Sequence, residues 1–224
     1  MEPENPALDL YILEQARNRV PKVCLIPTAS GDSDNYIRRF YEAFCAFSCL
    51  PRHLSLFRPA SSDLAGFLLE QDVIYVGGGN TRNLLALWRE WRLGGVLRLA
   101  LESGVILAGI SAGAICWFEE GVTDSMNALH AKSLARIQCL GFLAGSSCPH
   151  YDGEANRRPE YHRLIQSGEI GPGLAADDGV ALHFVNGALE TVVSSRRNAG
   201  AYVVRMEEAS GRINETPIRA RYLG

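Results

Sequence analysis

Three short apolar runs in the first half of this chain each stop abruptly at a turn of small residues, and helix-like spacing follows. Lys22-Val23-Cys24-Leu25-Ile26-Pro27 ends in Thr28-Ala29-Ser30-Gly31-Asp32, and Val73-Ile74-Tyr75-Val76 ends in Gly77-Gly78-Gly79-Asn80-Thr81. Val105-Ile106-Leu107 runs into Gly109-Ile110-Ser111-Ala112-Gly113. Continuous apolar runs of this length suit strands buried on both faces. Helical periodicity over 8–19, 35–47, 82–93 and 96–102, with a short helix ending at Glu70, alternates with them. Glu102-Ser103-Gly104 punctuates one helix end, and spacing after Ser111 predicts a helix through Cys116, Trp117 and Phe118. Residues 53–57 resemble a further strand. The pattern predicts an α/β fold, a doubly wound, mostly parallel sheet with helices on both faces, whose ligands bind beyond the carboxyl ends of the strands.

The second half alternates less regularly. Residues 128–139 suit either a strand or a helix, 159–166 reads as a helix, and 180–184 with 189–193 forms a hairpin around Asn186-Gly187, a pair that tolerates positive φ. Residues 201–206 are expected to be the last strand. No repeat or low-complexity linker interrupts the 224 residues, so one domain over 1–224 is expected.

Composition narrows the function classes. A net charge of −3 with scattered arginines gives no attraction for nucleic acid, and no apolar stretch reaches the roughly 20 residues that span a bilayer. The acidic, polar start Met1-Glu2-Pro3-Glu4-Asn5-Pro6 does not read as a signal peptide. Cys24, Cys45, Cys49, Cys116, Cys139 and Cys148 lack C-x-x-C spacing and sit mostly in apolar runs, as reduced core residues of a cytoplasmic protein would. Cys45 and Cys49 share a helix face without neighbouring histidine ligands, a poor metal site, so no metal is expected.

The pattern around Ser111 is a G-x-S-x-G turn between strand and helix, which lifts a hydroxyl clear of the sheet and aims the next N–H, that of Ala112, at an oxyanion. Small residues also occur wherever a helix packs closely on a strand. A serine nucleophile needs a base, and the base needs an acceptor that fixes its tautomer. His53 opens a strand away from the serine turn, His130 has no distinguishing neighbours, His162 lies mid-helix beside Arg163, and His183 alternates with apolar residues. His150 stands in loop chemistry, Ser146-Ser147-Cys148-Pro149-His150-Tyr151-Asp152-Gly153, where functional residues concentrate. Asp177-Asp178-Gly179 precedes a strand and supplies the acid, or makes an ordinary turn. The triple glycine lacks the lysine and spacing of nucleotide loops. It suits close backbone approach, with N–H groups of Gly78 or Gly79 joining Ala112 at an oxyanion.

Taken together, the glycine loop 77–81, the serine turn 109–114, Pro149-His150 and the acid before a late strand resemble the peptidase E family of serine exopeptidases, whose best-known members are aspartyl dipeptidases. The resemblance spans roughly 20–205 and extends to the class I glutamine amidotransferase-like fold, in which the nucleophile is cysteine. It implies Ser111 as nucleophile, His150 as general base and Asp178 as acid, with Asp177 as the alternative because family members carry a longer glutamate there. It further implies that Arg157, Arg158, Asp124 and Asn80 contact substrate, an arginine reading the carboxylate of an N-terminal aspartate and Asp124 orienting the amine. The implied substrate is a short peptide, and no cofactor is required. A cyanophycinase-like hydrolase of β-linked aspartyl peptides shares the resemblance, and a catalytically silent sensor or interaction protein of the same fold is the reading from another class. Only seven residues precede the first helix, where the family carries another strand and glycine-rich turn. Either the chain begins late or the sheet has one strand fewer, and the exposed edge would favour a homodimer.

Overall fold

The computed structural model describes residues 4–59, 63–125 and 134–224, in an α/β fold whose strand pairing is mostly parallel. Contacts group the chain into two compact units, Met1–Ala114 and Ile115–Gly224. The elements of the first are α1 (Ala7–Glu14), β1 (Lys22–Ile26), α2 (Asp34–Phe44), β2 (Leu50–His53), α3 (Leu64–Leu69), β3 (Val73–Val76), α4 (Thr81–Glu90), α5 (Leu93–Glu102) and β4 (Ile106–Gly109), followed by the single turn α6 (Ala112–Ile115).

Its sheet has the order β2-β1-β3-β4, every neighbour parallel, so the carboxyl ends of all four strands share one edge. Side chains alternate across the pleat. Val23, Leu25, Val73 and Tyr75 meet Phe40 and Phe44 of α2, with Ile12 and Leu13 of α1 packed against the same cluster. Cys24, Ile26, Ile74 and Val76 point the other way and are equally buried, which requires cover on both faces. Helix α2 reaches this core because Tyr36, Ile37, Phe40, Tyr41 and Phe44 recur at helical spacing, while Arg38 and Glu42 pair on its outer face at 2.5 Å. Each large side chain buried this way contributes about 1.5–3 kcal/mol. The outer strand β2 contains Pro51, which is tolerated at a sheet edge.

The second unit is built from β5 (Phe118–Thr123), β6 (Ala135–Gln138), β7 (Leu143–Cys148), α7 (Arg157–Gln166), β8 (Gly173–Ala176), β9 (Val180–Val185), β10 (Ala188–Ser194), β11 (Ala201–Met206), β12 (Ile213–Ile218) and β13 (Arg221–Tyr222). A mixed six-stranded sheet runs β12-β11-β8-β7-β5-β6, with β8, β7 and β5 parallel and the outer pairings antiparallel. The hairpin β9–β10 turns at Asn186 (φ 52°) and Gly187 (φ 79°), the two left-handed residues of a primed turn, and β13 joins β10 in parallel. Helix α7 packs on the sheet through Tyr161, Leu164 and Ile165, beside Tyr151, Cys148 and Val204.

One charged network ties β12 to this layer. Glu215 accepts hydrogen bonds from the Tyr151 hydroxyl, from Arg158 and from His162 Nε2, the last at 2.6 Å. The Arg158 guanidinium also lies 5.2 Å from the ring centroid of Tyr151 and 5.3 Å from that of Tyr202. Desolvation alone would raise the Glu215 pKa, but the hydrogen bonds from Arg158, Tyr151 and His162 outweigh it and hold the group below the ordinary carboxylate value.

Several sequence expectations differ from the structure. The helix after Ser111 stops at Ile115 instead of continuing through Phe118, because the Cys116 carbonyl accepts from Leu140 and the Trp117 carbonyl from Phe142 and Leu143, which commits them to the sheet. The expected strand at 53–57 lies earlier, at Leu50–His53, where it pairs with β1. Strand β11 is not the last, since β12 pairs with it, and Pro217 is admitted because β12 is an edge. Strand β8, Gly-Leu-Ala-Ala, carries no periodic signal; Gly173 is needed there because a Cβ would strike the Ser146 carbonyl. Of the six free cysteines, Cys45 is exposed and Cys139 half-buried rather than core. The segment 128–139 falls partly outside the described residues and is strand from Ala135 to Gln138. Among the described residues no helix is long and apolar enough to cross a membrane.

Two outcomes are expected. Gly113→Ala places a Cβ against the Val76 carbonyl and should destabilise the protein by about 2 kcal/mol or more in urea denaturation. Because the folded-state pKa of Glu215 is depressed, its stabilisation is present above the unfolded value and is lost as pH falls through the folded one. The melting-temperature gap between wild type and Glu215→Gln should therefore be full above about pH 5.5 and shrink as the solution becomes more acidic than the ordinary glutamate pKa.

Candidate active site

At the carboxyl edge of the first sheet, β4 ends at Gly109 and the chain turns through Ile110 and Ser111 into α6. Ser111 has φ 55°, in the left-handed region that a residue with a Cβ rarely adopts. The turn is held by Ile110 N–H donating to the Val76 carbonyl at 3.1 Å, Gly113 N–H to Ile110 at 2.9 Å and Ala114 N–H to Ser111 at 2.9 Å. Gly109 and Gly113 are required by contact: a Cβ on Gly109 would strike the Gly113 carbonyl, and one on Gly113 the Val76 carbonyl. Ala112 is buried and opens α6.

The glycine loop after β3 lies against this turn. A Cβ on Gly78 would stand 3.2 Å from Ser111 Cβ and 3.8 Å from its Oγ. Gly79 has φ 139° and crosses close over the Ala29 carbonyl, which also accepts from Asn80 N–H at 2.8 Å. The Asn80 side chain, expected to contact substrate, caps α4 by accepting from Asn83 N–H at 2.8 Å. The N–H of Gly78 donates to the Tyr36 hydroxyl at 2.9 Å. Nothing in the sequence singled out Tyr36, whose aromatic spacing reads as core.

In the second unit, β7 ends at Cys148 and His150 follows with φ 58°. Its Nδ1–H donates to Asp178 Oδ1 at 2.6 Å, in a pair that is partly solvated. Gly153 makes the contact sterically feasible, since a Cβ there would collide with the Asp178 carboxylate. Asp178 is held in turn by its neighbours: its N–H donates to Asp152 Oδ1 at 2.8 Å, and Arg196 Nη1 donates to Asp152 Oδ2 at 3.0 Å and to the Asp178 carbonyl at 2.9 Å. Asp152 was visible in the loop motif, whereas Arg196 carried no signal.

Asp177 faces elsewhere. It is buried, and its Oδ2 accepts from Gly200 N–H at 2.9 Å. Desolvation raises its pKa, the Gly200 bond offsets part of this, and the nearby Asp152 adds to the rise.

The two arginines are engaged differently. Arg157 is 4% exposed and donates to Glu154 at 2.7 Å and to the Val122 carbonyl at 3.1 Å. Arg158 is half exposed and bonded to Glu215. Asp124 is exposed in the bend after β5. Among the other histidines, His53 meets the Tyr41 hydroxyl at 2.9 Å, His162 joins the Glu215 network, His183 sits in β9, and His130 lies outside the described residues. Among the described residues no cluster of His, Cys, Asp and Glu is arranged to hold a metal ion.

Comparison with known proteins gives this geometry its context. Peptidase family S51 matches residues 1–192. The chain is 59% identical over 224 residues to the uncharacterized peptidase YgaJ of Bacillus subtilis (strain 168), covering 100% of this chain and 94% of that one. Its fold is shared with a peptidase from an acI-B1 Actinobacterium (TM-score 0.68, 16% identity, 96% and 89% coverage). It is also shared with a provisionally assigned peptidase E protein from Listeria monocytogenes EGD-e (TM-score 0.56, 18% identity, 95% and 93% coverage). This chain is a peptidase and belongs to peptidase family S51.

Proposed function

We propose that this peptidase is a cytoplasmic serine exopeptidase that hydrolyses dipeptides with an N-terminal aspartate through an acyl-enzyme on Ser111. The observation that carries the reading is the left-handed Ser111 on a strand-to-helix turn with the Gly78 backbone against its Cβ. Six free cysteines, most of them buried, suit a reducing compartment.

In this reading Ser111 Oγ adds to the scissile carbonyl as His150 Nε2 takes its proton, and the carbonyl electron pair moves onto oxygen beside the backbone of Ala112. The Asp178 bond to Nδ1 supports the reading, since it fixes the tautomer that leaves Nε2 as acceptor and stabilises the imidazolium. Collapse of the intermediate breaks the C–N bond, and the amine leaves with the proton from His150. Water, deprotonated by the same nitrogen, then releases the acid and restores Ser111. The mechanism requires His150 Nε2 within hydrogen-bond reach of Oγ in the working enzyme.

Arg158 is the better of the two arginines for a substrate carboxylate. Arg157 is buried between Glu154 and a backbone carbonyl, while Arg158 is half exposed and could exchange Glu215 for substrate. Asp124, exposed, is the proposed partner of the substrate amine.

A panel of α-dipeptides varied at the first residue, with β-aspartyl peptides alongside, tests the proposal. Asp-X should be cleaved fastest; hydrolysis confined to the β-linked compounds would overturn it. Ser111→Ala should abolish turnover with the melting temperature unchanged, and Asp178→Asn should lower kcat by about 10⁴, the loss seen when a triad acid is neutralised in place. Arg158→Ala should reduce the preference for aspartate over alanine at the first position by about tenfold.

A further inference from the structure

The N–H that the glycine loop would turn toward a reacting carbonyl is already in use. Gly78 N–H donates to Tyr36 Oη at 2.9 Å, so the phenol accepts there, and its own O–H donates to no group among the described residues. The ring lies along the same loop: a Cβ on Gly77 would come within 3.0 Å of Tyr36 Cε1 and 3.3 Å of Oη. Gly78 therefore has the phenol oxygen on its nitrogen and, 3.2 Å from the position of an added Cβ, the Cβ of Ser111.

We infer that Tyr36 is a catalytic residue of the reaction proposed above, its O–H donating to the oxyanion that forms when Ser111 Oγ adds to the substrate carbonyl, in the place sequence reasoning gave to Gly78. The inference rests on the assignment of Ser111 as nucleophile. No proton is transferred: the O–H shortens its hydrogen bond as the carbonyl pair localises on oxygen, and relaxes when that pair returns and the C–N bond breaks. Accepting the Gly78 N–H polarises the phenol and strengthens it as a donor. Desolvation raises the Tyr36 pKa, so the phenol keeps its proton throughout the neutral range. A side-chain donor fixed before the substrate arrives is the kind of group that stabilises developing charge without reorganising.

The competing role is a latch, in which the hydroxyl only holds the loop. Tyr36→Phe separates the two, because it keeps the ring beside Gly77 and frees Gly78 N–H. Hydrolysis of aspartyl p-nitroanilide and phosphonylation of Ser111 by a fluorophosphonate, followed by intact mass, are measured in wild type, Tyr36→Phe and Ser111→Ala. A donor predicts kcat and the phosphonylation rate lowered about 10²–10³-fold in Tyr36→Phe, with KM and melting temperature little changed. Rates within threefold of wild type would overturn the inference and leave the nucleophile standing, since Ser111→Ala would still be inert. Full activity in Ser111→Ala, or neither hydrolysis nor labelling in wild type, would overturn the nucleophile and the inference with it. Should Tyr36→Phe fail to fold, 3,5-difluorotyrosine at position 36 decides. Its more acidic phenol moves the alkaline limb of kcat to lower pH if the O–H donates, and an unmoved limb overturns the inference.

Discussion

The first unit depends on a crossing of backbones that only glycine permits. The carbonyl of Val76, last residue of β3, accepts from Ile110 N–H and lies against the Cα of Gly113. Gly109 in turn lies against the Gly113 carbonyl. With no side chain at either position, α6 starts directly on top of β3 and β4, and Ser111, the middle of the three residues between the glycines, takes up the left-handed region. The glycine loop after β3 is drawn into the same crossing, because it leaves the strand at Val76. A buried parallel sheet thus sets the height and direction of the Ser111 side chain through packing, before any catalytic partner is considered.

The second unit positions His150 by charge as well as by packing. Its φ of 58° is bracketed by a buried Cys148 and by Tyr151, whose N–H donates to Ala176 on β8. Tyr151 is fixed at its other end by Glu215, which also holds Arg158 and His162. Asp178 is fixed by Asp152 and Arg196. Arg196 and Glu215 both lie beyond residue 192, where the family match ends. Arg196, in the turn after β10, and Glu215 on β12 thus buttress the histidine loop from the last part of the chain.

Much of this was legible from residue type. Val73–Val76 was expected as a strand and is one, and Asn186-Gly187 marked its hairpin, because buried apolar runs and left-handed turn residues act locally. The serine turn showed for the same reason: its glycines are adjacent in sequence to the residue they serve. Boundaries set by distant partners did not show. Trp117 and Phe118 continue a helical pattern until the carbonyls of Cys116 and Trp117 are claimed by residues 140–143, and nothing near them in sequence announces that competition. Arg196 and Tyr36 were missed for the same physical reason, since an arginine in a surface turn and a tyrosine on an amphipathic face acquire meaning only from what lies across from them. The choice between Asp177 and Asp178 was open because adjacent carboxylates project in different directions, one onto Gly200 N–H and the other onto His150.

Backbone conformation gives an independent measure of what the chain retains against its own stability. Among the described residues, six other than glycine have positive φ: Asp32, Arg92, Ser111, His150, Asn186 and Asn198. Aspartate and asparagine tolerate that region through local hydrogen bonds, which accounts for three of them. Arg92 sits at the junction of α4 and α5, at the amino end of α5. The remaining two are Ser111 and His150. A left-handed residue with a Cβ costs on the order of 1–3 kcal/mol, much of which glycine would relieve at either place. Folding alone therefore favours glycine at both positions, and a serine and a histidine stand there instead. Left-handed backbone at two chemically competent side chains, Ser111 framed by the close contacts of Gly109 and Gly113 and His150 bonded to Asp178, is the physical ground on which a role for each in one reaction is proposed.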